Sequence, residues 1–153
     1  MQINMSVEPL VREAFAASLG SDPQRSIAAV QAMADGGDQV ARDSVTLATM
    51  IASMALLDLS DGEAPDEDEL QELSQSLVEM EEWAGLEPSD ALSLLQALSG
   101  ETDRTILPPE TYLRVIFIAG AWLLAAFGPE ERTWYDYLDQ ILTRIEAGSE
   151  AGR

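Results

Sequence analysis

The residues with the most chemical potential in this chain are the carboxylates around one short turn: Asp58, Asp61, Glu63, Asp66, Glu67, Asp68 and Glu69. Clustered carboxylates can ligate a hard cation or act as a general acid and base pair. A calcium loop of the EF-hand type does not fit, because with Gly62 in the sixth place the first ligand would have to be Leu57. Carboxylate-pair hydrolysis is disfavoured by the surroundings, which are polar helix faces and a turn without an aromatic sugar cleft. Histidine and lysine are both absent. Their absence removes a histidine general base, Ser-His and Ser-Lys nucleophile pairs, a Schiff-base amine, a phosphate-loop lysine and a histidine-ligated zinc. Cysteine is absent as well, so thiolate chemistry and disulfides do not arise. The expectation is a protein without cofactor and without catalysis; any catalysis would rest on carboxylates, Tyr, Ser, Thr or the eight arginines.

Charge points elsewhere. The formal net charge is −20, and between Arg42 and Arg104 sixteen Asp and Glu stand with no basic residue among them. Such a surface repels nucleic-acid phosphates and anionic lipid and attracts cations or basic protein faces. The reading is therefore a basic protein partner, with no direct nucleic-acid binding and no membrane association. The candidate partner-binding residues are Asp61, Glu63, Asp66, Glu67, Asp68, Glu72, Glu79 and Glu82, with Trp83, Tyr135 and Tyr137 as aromatic anchors. Immunity proteins, antitoxins and nucleic-acid mimics share this physical pattern of a small, acidic, catalytically empty domain. General solubility or adaptation to salt would produce the same acidity, and the sequence leaves those readings open.

Asp61-Gly62-Glu63 follows an apolar helix and precedes an acidic run ending in Glu69-Leu70. This turn resembles the Asp-Gly-Glu helical-hairpin turn of the TerB-like tellurite-resistance domains. The resemblance implies an all-helical fold and a divalent cation at Asp61 and Glu63. It is confined to this turn and its flanks, and the second half of the chain has no matching Asp-Gly. It supplies the alternative of a cation-binding helical domain; a purely structural subunit is a further one.

These side chains must be positioned by helices packed on an apolar centre. Val115 to Phe127 is a run of thirteen residues with no polar side chain, which as a helix rises about 20 Å and is short of the roughly 30 Å needed to cross a bilayer. Apolar residues on every face require neighbours on every side. A second largely apolar helix is predicted from Asp38 to Leu59, its later half beside the first. Covering helices are predicted over Val7–Leu19 with Ser6 as cap, over Asp22-Pro23 to Asp35, from the Asp66 cap to Ala84, after Pro88 to Gly100, and after Pro129. The fold class is thus all-α, a single domain over residues 1–148 with six to seven helices around two apolar ones, and a flexible tail over 149–153. The N-terminal residues lack a basic segment followed by an apolar one, so a cytoplasmic protein is expected.

Overall fold

The computed structural model describes residues 6–60, 62–99, 107–126 and 134–151. Among them the chain is all-helical, with no strand. Seven α-helices follow in order: α1 (Glu8–Leu19), α2 (Pro23–Asp35), α3 (Asp38–Leu59), α4 (Glu67–Met80), α5 (Pro88–Ser99), α6 (Pro109–Ala126) and α7 (Trp134–Ala151), with one 3-10 turn at Glu82–Ala84. Phe127, expected as the last residue of the apolar run, lies outside the described residues, as do residues 152 and 153 of the expected tail. The helix α7 continues to Ala151, through positions expected to be a loose tail.

The apolar run does what its composition demands. Every residue from Val115 to Leu124 is buried, because α6 is lined by α1, α3, α5 and α7. The pairing of α3 with α6 is the most extensive helix contact in the fold, and the two apolar helices lie side by side as their sequences require. By length and composition α3 could cross a membrane; here Leu47, Ala48, Ile51, Ala52, Ala55 and Leu56 are sheltered by neighbouring helices. Phe15 of α1 is fully buried and meets Phe117 edge to face, with ring centroids 5.5 Å apart.

Local signals set most of the helix starts. Asp22 accepts a hydrogen bond from the Arg25 backbone N–H at 3.1 Å, and Pro23 opens α2. Asp66 accepts from the Glu69 N–H at 2.9 Å, and Glu67, Asp68 and Glu69 fill the first turn of α4, where the helix dipole favours carboxylates. At α1 the expectation is corrected: the capping position is Val7, without a side-chain cap, and α1 begins one residue later than predicted. Helix α4 also stops earlier than predicted. It ends at Met80, and the chain turns through Glu82–Ala84 to Gly85, whose left-handed conformation (φ 61°) is open to glycine at no steric cost.

Candidate functional site

Helix α4 has two opposed faces. At 100° per residue, Asp68, Glu72 and Glu79 fall in one stripe, roughly opposite Leu70, Ser74 and Leu77, which are buried as α4 packs on α5. Glu63, Asp66, Glu67, Asp68, Glu69, Glu72, Glu79 and Glu82 are all exposed. Glu67 reaches α5, where the Gln96 amide donates to both its carboxylate oxygens at 3.0 and 3.2 Å. Asp61 lies outside the described residues. Gly62 beside it has φ +87° and donates its N–H to the Leu57 carbonyl at 2.7 Å, which ends α3 and sets the turn. Among the described residues no group of three or more Asp or Glu is arranged to hold a metal ion.

Three of the five described arginines are engaged elsewhere. Arg12 joins α1 to α7 through Asp139 while also pairing with Glu8 at 2.8 Å. Arg25 of α2 holds Glu13 of α1 at 2.5 Å. Arg144 of α7 donates to Asp58 near the end of α3 at 2.8 and 3.3 Å. No ion pair among the described residues involves a carboxylate between Gly62 and Asp90. Among the described residues the acidic face is left without internal compensation, and between α3 and α4 it borders a shallow cleft of about 250 Å³. Leu59 and Leu73 give this cleft an apolar lining, and Glu69 and Glu72 bring carboxylates to it.

The three aromatic residues separate. Tyr137 is corrected from surface anchor to core residue: it is 5% exposed, and its hydroxyl donates to Asp58 Oδ2 at 2.5 Å. Burial and the adjacent Asp58 carboxylate push the Tyr137 phenol well above its usual range. Burial alone would raise the Asp58 carboxyl, yet the hydrogen bonds from Arg144 and Tyr137 outweigh it and hold Asp58 below the usual carboxylate range. The group is a structural latch between α3 and α7. Tyr135 is half exposed and stacks edge-on against Trp134. Trp83 is partly buried, donates its indole N–H to Glu81 at 2.5 Å, and stands on the turn that follows α4. Trp83 therefore follows the acidic helix directly in the chain, with its ring against residues of α2 and α6, whereas Tyr135 belongs to α7, which packs on α3 and α6.

Two features escaped the sequence pattern. Ile27 of α2 is 69% exposed, and Met80, the last residue of α4, is 70% exposed, although both are apolar residues on amphipathic helices. Met80 still serves the core, since its sulfur accepts the indole N–H of buried Trp122 at 3.4 Å. Ile27 borders a groove of about 380 Å³ between α2, the N-terminal half of α6 and the Trp83 turn. Local periodicity marks Ile27 as apolar and cannot tell that no described helix covers it. The side chain of Glu110, four residues before Arg114 and so within pairing reach on a helix, lies outside the described residues. Comparison with protein-family models, with curated proteins and with solved structures finds no match to this chain.

Proposed function

We propose that the chain is a non-catalytic acidic binding protein that captures a basic protein partner, of the kind that immunity proteins, antitoxins and nucleic-acid mimics exemplify, acting in the cytoplasm. The observation that carries this reading is the uncompensated acidic face of α4, beside which the described arginines Arg12, Arg25 and Arg144 are tied up in pairs elsewhere. Unpaired exposed carboxylates attract a basic surface over about 8–10 Å and speed encounter. The cleft between α3 and α4 suits the end of such an encounter. A lysine or arginine stem can lie on Leu59 and Leu73 while its cationic head meets Glu69 and Glu72. Trp83, on the turn that follows α4, is the aromatic anchor.

The test is capture from the native host at low salt, with the wild-type chain and a Glu69→Gln, Glu72→Gln, Glu79→Gln variant run in parallel. The expected result is a basic protein retained by the wild type and lost by the variant. A protein retained equally by both would remove the acidic face from the account. Titration with Ca²⁺, Mg²⁺ and Zn²⁺ tests the alternative, a cation held at Asp61 and Glu63, through heat and thermal shift.

A further inference from the structure

The groove beside Ile27 differs in chemistry from the acidic face. Its lining is mostly apolar, with Ile27 and Val30 of α2, Leu113, Phe117 and Ile118 of α6, and Trp83. At about 380 Å³ it falls within the range of ligand pockets, about 300–1,000 Å³, and it has their usual make-up of apolar walls with a few polar groups. Among the described lining residues the only charged one is Arg114. In a chain with 28 carboxylates and eight arginines, a groove whose described charge is a lone cation is the exception. Arg114 is exposed and, among the described residues, in no ion pair. A second, independent observation concerns Ser26, which also lines the groove: its Oγ is closed off from solvent and has no hydrogen-bond partner among the described residues. A buried hydroxyl without a partner costs about 1–3 kcal/mol. Rotation about χ1 toward an acceptor in the groove would relieve that.

We infer that this groove binds a small amphiphilic carboxylate, with the head group on Arg114 and an unbranched apolar body along Ile27, Val30, Leu113 and Trp83. A basic peptide is disfavoured here, since it would bring its cations against Arg114. A neutral apolar ligand would leave the guanidinium and the serine hydroxyl unused. The inference does not depend on the carboxylates of α4; Trp83 is the one residue that the two readings share.

Calorimetric titration of the full chain with straight-chain monocarboxylates of increasing length, as monomers and at moderate salt, tests it. Affinity should rise by about threefold to fourfold per methylene until the groove is filled. The alcohol of matching length should bind about tenfold more weakly than the carboxylate. Arg114→Gln, a change at an exposed position, should remove that difference and leave alcohol binding unchanged. Ile27→Asp, equally exposed, should abolish binding of both with the helical circular dichroism intact. Four results would overturn the inference: carboxylate and alcohol binding alike to the wild type, an Arg114→Gln chain that keeps the preference, no saturable heat at any length, or binding only to anionic lipid vesicles and never to monomers.

Discussion

The ring of Phe15 fills the space that a β-carbon on Gly120 would need: an added Cβ would stand 2.6 Å from Phe15 Cε1. Phe15 is fully buried and held edge-on by Phe117, so it has nowhere to withdraw. Two effects of Gly120→Ala oppose each other. Alanine is the better helix former by about 1 kcal/mol, while overpacking a close-fitted core costs about 1–3 kcal/mol. We expect the second to win, with a net loss of about 1–2 kcal/mol in urea unfolding. In a Phe15→Leu background the sign should reverse, a coupling that a double-mutant cycle measures.

The latch between α3 and α7 predicts a pH dependence. Asp58 is held below its ordinary value in the folded chain, so its contribution is fully present above the unfolded value of about 4 and is lost as pH falls through the lower folded value. Tyr137→Phe removes one of its donors and should cost about 0.5–1.5 kcal/mol near neutral pH. The difference between the variant and the wild type should shrink in the acid limb below about pH 4. Denaturant unfolding across that range checks it.

Much of the fold was legible in local sequence. The apolar run of α6, the Asp22-Pro23 start and the Asp66 cap each rest on a few neighbouring residues, and each is where the pattern put it. What escaped involves distant partners. Tyr137 and Asp58 are 79 residues apart in sequence, and nothing around Tyr137 announces a partly buried carboxylate as its partner. Ile27 belongs to an ordinary amphipathic repeat, and its exposure depends on which helices arrive beside α2. The acidic face was legible as composition, because a span without any basic residue leaves its carboxylates no local cation. That Arg12, Arg25 and Arg144 pair with Asp139, Glu13 and Asp58 was not legible.

Asp66→Ala should destabilise the domain by about 1 kcal/mol, since it removes the acceptor for the Glu69 N–H and exposes the start of α4. Asp66→Ser should restore most of the loss, because serine caps nearly as well. Thermal unfolding of the two variants side by side distinguishes a lost cap from a lost charge.

The uncompensated carboxylates repel one another when no partner is bound. Glu79 stands in the last turn of α4, where the helix dipole disfavours it, and Asp68 and Glu72 are a like-charged i,i+4 pair. Glu72→Gln with Glu79→Gln should therefore stabilise the free chain at low salt by a few tenths of a kcal/mol, about 0.3–1. Added salt should raise the wild-type melting temperature more than that of the variant.

The central claim is that the acidic face of α4 draws in a basic partner. Its most direct measurement is the association rate with the captured partner between about 20 mM and about 300 mM salt. The account predicts a fall of at least about tenfold for the wild type and a much shallower fall for the Glu69→Gln, Glu72→Gln, Glu79→Gln chain. A rate that ignores salt, or the same slope for both chains, would contradict it.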